Sequence, residues 1–426
     1  MEIDETINLL MNDNRLFIKN NRGKKFQKAK TIKLFANILL YELKNVQSVI
    51  FPDNYKYKFE KNSLKVITLE SLVEVIGIVE YKIKKGVKKD IVFGVKGFIR
   101  PADNLTVSIV EYIIYYYKTN YNINVYITSM SIENNEIILG KDEEKLCVKN
   151  GFFLGEAGAG FMRTSFLQNW YPGIKNIEED SFYSKVDNSK RFKKIIGNGP
   201  WDASIALSEC SEFLQEASVQ QEAIDSICEI IGELAPNAVE HGKANCMIDL
   251  CHEQSTNYDN KEKLTNISIV VYNFSDKLLW TDLYEKIFVD NEKITYKRER
   301  ISTIKEAWKN HQKNFSMSYS KNDFFNLMAF QKISGRKGDR SDGGLGINTL
   351  IQNVQEYSVD DYCYVLSGNG ALFMYKNLIQ LDSKDYIAFN ENKNYVGQIP
   401  DSEAVQHTQF YFPGVAYNLI FYFEEI

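Results

Sequence analysis

Between Gln221 and Gly242 the apolar residues Ile227, Ile230, Ile231 and Leu234 recur at helical spacing, so one stripe of a helix must be covered by a sheet or by other helices. That requirement makes a helix-on-sheet architecture the first expectation. On the polar side, Glu233 and Asn237 stand one turn apart and share a face. A carboxylate there could orient and deprotonate a water, and a carboxamide offers a hard oxygen to Mg²⁺. Pro236 is out of place in a helix interior, where it costs ~3 kcal/mol, and the residue four back, Gly232, relieves side-chain crowding at the kink. Such local inconsistency is commoner at functional sites than in plain core helices. The plainer alternative is a capped amphipathic helix that His241 and Gly242 simply end.

Around this helix the order of expected elements is clear. Ala203 to Ala217 reads as a helix, and Gln221 to Glu240 as the one just described. Ala244 to His252 and Leu264 to Asn273 read as paired strands. A charged helical insertion spans about 280–335, followed by the glycine cluster 343–346 and a helix to Tyr357. Strands are expected at Tyr362–Ser367, Ala371–Tyr375 and Tyr417–Phe423. Asn198-Gly199-Pro200 punctuates the chain before the helical stretch and suggests a division into residues 1–195 and 196–426. Residues 1–195 read as a mixed α/β domain, with helical character through residue 48 from Ile32, Leu34, Phe35, Ile38, Leu39 and Leu43. Strand-like runs follow at 48–51, 64–68, 72–79 and 90–95, then a helix over 103–119 and a strand from Ile123.

Two glycine-rich segments bear on phosphate binding. Gly155-Glu156-Ala157-Gly158-Ala159-Gly160 lacks the order and the lysine ending of phosphate loops and reads as a turn. Gly343, Gly344 and Gly346, by contrast, directly precede the helix expected from Ile347 to Val354. There the backbone can approach an anion closely and free N–H groups point at it. Arg336, Lys337 and Arg340 add positive charge suited to a triphosphate. A glycine hairpin with a solvated basic run is the alternative.

Taken in order, the Glu233-x-x-x-Asn237 helix and Gly344-Leu345-Gly346 resemble the N box and phosphate box of the GHKL superfamily, which groups DNA gyrase, the ninety-kilodalton heat-shock chaperones, histidine kinases and mismatch-repair ATPases. The resemblance covers about residues 200–426. It implies an α+β fold with a C-terminal two-layer sandwich of the histidine-kinase-like ATPase type, beside a separate N-terminal mixed α/β domain. It also implies ATP and Mg²⁺ as cofactors, Glu233 as general base, and Asn237 as Mg²⁺ ligand. His241, Arg340, Gly343, Gly344, Leu345 and Gly346 join the cofactor-binding residues. Cys363 to Tyr375 look like the closing hairpin, and Pro413-Gly414 precedes what looks like the last strand. The insertion 280–335 takes the lid's position, with Trp280, Trp308, Phe324 and Phe325 to pack it down. The family's aspartate–glycine adenine box is missing: after the strand ending at Tyr272 stands Asn273-Phe274-Ser275-Asp276-Lys277, so Asn273 or Asp276 would have to meet adenine.

Other classes fare poorly. At 426 residues the chain is long enough for one to three domains of ~100–200 residues, with a core that needs no staples. The net charge of −5 is spread along the length and indicates no nucleic-acid surface. The acidic N-terminus is no secretory signal, and no window reaches the ~18 apolar residues of a membrane span. Six cysteines without a C-x-x-C pair suggest reduced thiols and a cytoplasmic setting, with Cys246 and Cys251 on opposite faces of a strand. The four histidines lie far apart, without zinc or nucleophile motifs. The expected function is an ATP-driven switch whose lid closes on Mg-ATP. It would act with a protein partner, and the family adds dimerisation on ATP as an expectation. A protein kinase of the anti-sigma or histidine-kinase type and a non-hydrolysing nucleotide-binding module are the alternatives.

Overall fold

The computed structural model describes residues 190–424 except 198, 200, 218, 257–262, 290–297, 332–344 and 359–362. Before 190 it describes only the strands named below and the scattered residues 83, 86, 105, 108–109, 116–117 and 120–123. The chain divides into two units, Met1–Val186 and Asp187–Ile426. The boundary falls earlier than the Asn198-Gly199-Pro200 punctuation because the strand Lys190–Ile196 pairs into the second unit's sheet.

In the first unit, Arg15–Lys19, Lys25–Phe35, Ile38–Glu42, Val46–Phe51, Asp90–Val95, Val125–Glu133 and Glu136–Leu139 close into a barrel. Two small pairs accompany it, Lys65–Ile67 with Ile99–Pro101 and Cys147–Val148 with Phe152–Phe153. The helical expectation through residue 48 is therefore corrected. Leu34 and Leu39 sit directly opposite each other across a strand pair, an arrangement that single-chain periodicity cannot distinguish from a short apolar helix. Residues 72–79 and the glycines 155–160 lie outside the described residues.

The second unit is mixed α+β, an antiparallel sheet with helices. Its strands are β1 (Lys190–Ile196), β2 (Cys246–Thr256), β3 (Lys263–Asn273), β4 (Tyr364–Phe373) and β5 (Val405–Glu424), in spatial order β1-β2-β3-β5-β4. Over one face lie α1 (Asp202–Glu216) on β1, α2 (Gln221–Gly242) on β2 and β3, and α6 (Leu345–Tyr357) on β5. Ile227, Ile230, Ile231 and Leu234 of α2 are buried in one cluster with Ile248 and Leu250 of β2, Ile267, Ile269 and Val271 of β3 and Leu419 of β5. Each such side chain stabilises the fold by about 1.5–3 kcal/mol relative to exposure. Cys246 belongs to this helix-side cluster and Cys251 does not, as their odd spacing requires.

Between β3 and α6 come α3 (Thr281–Tyr284), a π-helical turn (Glu285–Val289), α4 (Arg298–His311) and α5 (Lys321–Ala329). This insertion is packed as a core element. Phe324, Leu327, Met328 and Phe330 are buried, and Trp308 stacks on Phe325 at 4.9 Å with 8° between the ring planes. The turn-rich segment 374–404, between β4 and β5, is pinned against it. Asn310 donates to the carbonyl of Val396 at 3.1 Å, and Gln331 both donates to Ile387 O (2.8 Å) and accepts from Ile387 N (3.0 Å).

The expected hairpin over Cys363–Tyr375 is corrected to one strand, β4. Gly368 (φ +60°) and Gly370 mark bulges where the register with β5 shifts, not the corner of a turn. Likewise Pro413 and Gly414 lie within β5. Among the described residues no helix is long and apolar enough to cross a membrane.

Candidate functional site

The chemistry-bearing face of α2 is its solvent-side row. Glu233 and Asn237 are half-buried, and the Asn237 amide donates from Nδ2 to Glu233 Oε1 at 2.9 Å. One oxygen of each side chain, Glu233 Oε2 and Asn237 Oδ1, accepts no hydrogen bond from the described residues. These are two hard oxygen atoms a turn apart, the donor type magnesium takes. From beneath, β5 presents Tyr417, whose phenol is pushed well up by burial and then by the charge of Glu233.

Pro236 stays inside the helix. A Cβ at Gly232, whose carbonyl the proline crowds, would come 3.3 Å from the Leu207 side chain, so this glycine also lets α1 lie close. The helix ends where Lys243 turns left-handed (φ 51°) and returns its N–H to Val239 O at 2.9 Å.

Helix α6 packs beside α2 and runs antiparallel to it. Thr349 donates to Glu229 Oε1 at 2.8 Å. At the other end, Tyr357 is pushed up by Glu356, by burial and by the charge of Glu222. Four residues of helix span ~6 Å in either direction. Leu345, the first residue of α6, therefore stands level with Glu233. Leu345 and Gly346 open the helix, while Arg336, Lys337, Arg340, Gly343 and Gly344 lie outside the described residues. The turn of α2 that carries Glu233 and the first turn of α6 thus lie side by side on one face of one sheet.

The two adenine candidates differ in their surroundings. Asn273, the last residue of β3, is fully buried. Its Nδ2 donates to Ala238 O at 2.6 Å, and its Oδ1 accepts from Val415 N at 3.0 Å. Two glycines make room for it. A Cβ at Gly242 would fall 1.9 Å from Asn273 Nδ2, and one at Gly414 (φ +101°) would fall 2.4 Å from Asn273 O. Ser275 adds a hydrogen bond from its hydroxyl to Gly242 O, and Lys277 N donates to Ser275 Oγ at 2.9 Å. Residues 273–277 therefore strap the end of α2 to the sheet. Asp276 is exposed beside Tyr411, whose phenol is pushed up by burial and then by the charge of Asp276.

His241, two turns beyond Glu233, continues the polar row. Its Nδ1 lies 2.7 Å from Asp282 Oδ2 of α3, a partner that nothing in the local sequence announced. Thr349 is equally unannounced, because it bonds Glu229 of the same row from 120 residues away in the chain. Among the described residues no three His, Cys, Asp or Glu side chains gather to hold a metal ion. No protein-family model, curated protein or solved structure matches the chain.

Proposed function

We propose that the second unit is a two-layer, histidine-kinase-like (GHKL-type) nucleotide-binding domain that takes Mg-ATP between α2 and the start of α6. The observation that carries this reading is the antiparallel pairing of the two helices, with Thr349 on Glu229 and the first turn of α6 level with Glu233. A helix start offers unpaired N–H groups and the positive end of its dipole to a polyphosphate. Facing it, Asn237 Oδ1 and phosphate oxygens would hold Mg²⁺, which when bound neutralises phosphate charge. Glu233, held through Oε1 by Asn237, keeps Oε2 to orient a water and accept its proton.

On this reading the protein is an ATPase that works as a nucleotide-driven switch with a protein partner. Its five described cysteines are free, four of them buried, which fits a cytoplasmic setting. A second reading, a nucleotide-binding module without turnover, is favoured by Asn273. The residue at the expected adenine position has both polar ends engaged inside the fold.

Full-length protein incubated with labelled ATP and Mg²⁺ separates these outcomes. Free phosphate from the wild type, with Glu233→Ala binding ATP but losing turnover, supports the ATPase. Label retained on protein would indicate a kinase, and tight binding without turnover would indicate the module. Absence of Mg-dependent ATP binding would overturn the proposal.

A further inference from the structure

We infer that Asp282 is a positioning residue for the nucleotide. Its carboxylate accepts the Nδ1–H of His241 and, in the doubly protonated ring, leaves the Nε2–H to donate to a phosphate oxygen, so that the helical insertion and α2 build the contact jointly. The inference rests on the nucleotide reading above and adds a residue that lies outside both of its motifs.

Glu233, Asn237 and His241 fall at successive four-residue steps, which places them on one helix face. His241 is therefore the next side chain along the row that would carry the magnesium ligand. It sits in the last turn of α2, where an imidazole is free of the core, and 47% of its side chain is exposed against 32% for Asp282. An exposed pair of this kind adds little to stability, about 0–1 kcal/mol. Its consequence is orientation. A carboxylate on one ring nitrogen fixes which nitrogen is left for a ligand and where it points, as in carboxylate–histidine pairs at metal and catalytic sites.

The short helix that carries Asp282 is anchored on both sides of it. The Leu278 N–H donates to Thr281 Oγ1 at 2.9 Å, and Thr281 N and Tyr284 N close the short helix on Leu278 O (3.0 Å) and Trp280 O (2.9 Å). Leu279 N reaches Ser367 Oγ on β4 at 2.9 Å. Tyr284 and Trp280 meet Phe325 edge-on and tilted, at 4.9 and 5.0 Å, so the carboxylate stands on the packed insertion and not on a free loop.

The test uses the full chain labelled with ¹⁵N-histidine, whose four imidazoles are few enough to assign by single substitution. In the wild type the His241 ring should show Nδ1 bonded to a carboxylate, and its Nε2 signal should move when Mg-ATP is added. Asp282→Asn should move the ring away from its doubly protonated signature and weaken ATP binding about tenfold, the worth of one charge-assisted hydrogen bond. Asp282→Glu should recover most of that loss. The double variant with His241→Ala should bind no more weakly than His241→Ala alone, because Asp282 acts through the ring. Losses that add in the double variant, or a His241 signal indifferent to ATP, would overturn the inference. So would wild-type binding that Asp282→Asn leaves intact, and that result would spare the nucleotide reading. A wild-type chain that binds no ATP overturns both.

Discussion

The helical insertion and the polar row of α2 lie in the same unit but spend their polar groups differently. In the insertion, His311 is almost wholly buried and bonded at both nitrogens, to Tyr319 Oη at 2.6 Å and Tyr395 O at 2.8 Å. A carbonyl can only accept, so Nε2 carries the proton and Nδ1 accepts from the tyrosine. Along α2, Glu233, Asn237 and His241 are half-buried or exposed, and their hydrogen bonds join them to one another or to a neighbouring carboxylate. The first arrangement stabilises a fold, and the second leaves acceptors and donors for something outside the chain. In the described part of 280–335, Phe324 and Phe325 lie in the core and Trp308 packs against it, as expected of aromatic side chains that hold the insertion down.

Substitutions should separate the two regions. Phe324→Ala in the insertion removes a fully buried ring that meets Trp308, His311 and Phe325 edge-on, and should cost about 3–5 kcal/mol in denaturant unfolding. A loss below about 1 kcal/mol would mean that the insertion is looser than its packing shows. Asn273→Ala should cost about 2 kcal/mol or more, since Ala238 O and Val415 N each lose a buried partner. A variant with unchanged stability but impaired ATP binding would instead return Asn273 to the row of ligand contacts.

The pH dependence of stability probes His311. Burial, only partly offset by the Tyr395 carbonyl, pushes its pKa below the ordinary value of 6.5. Below that pH the unfolded chain binds a proton that the folded ring resists, so this group lowers stability as pH falls from about 6.5. The slope is at most about 1.4 kcal/mol per pH unit. His311→Gln should flatten that part of the profile, and an unchanged slope would assign it elsewhere. Smallest in stability should be Glu233→Gln, within about 0.5 kcal/mol of wild type in unfolding. Its ATP turnover should nevertheless fall by about a hundredfold or more in a phosphate-release assay.

The helices of the second unit were legible in the sequence because their order is local. The stripe of α2 and the cap residues after it set its ends within two residues of expectation, and β2 and β3 followed from their apolar runs. Gly368-Asn369-Gly370 misled because two glycines near each other signal a turn as readily as a bulge. Only the partner strand, with Ser367 opposite Val415 and Gly370 opposite His407, distinguishes them. Glu233 and Asn237 could be placed on one face from spacing alone. The Asn273 clamp could not, since Val415 is 142 residues away and the two glycines that make room for it serve no local turn pattern. The same holds for Asp282, which reaches His241 across 41 residues.

The most direct trial of the shared site is a structure of the full chain with Mg²⁺ and a non-hydrolysable ATP analogue. The polyphosphate should lie between Asn237 and the first turn of α6 at Leu345, with the metal on Asn237 Oδ1. An analogue bound elsewhere, or packed side chains filling that gap, would contradict it.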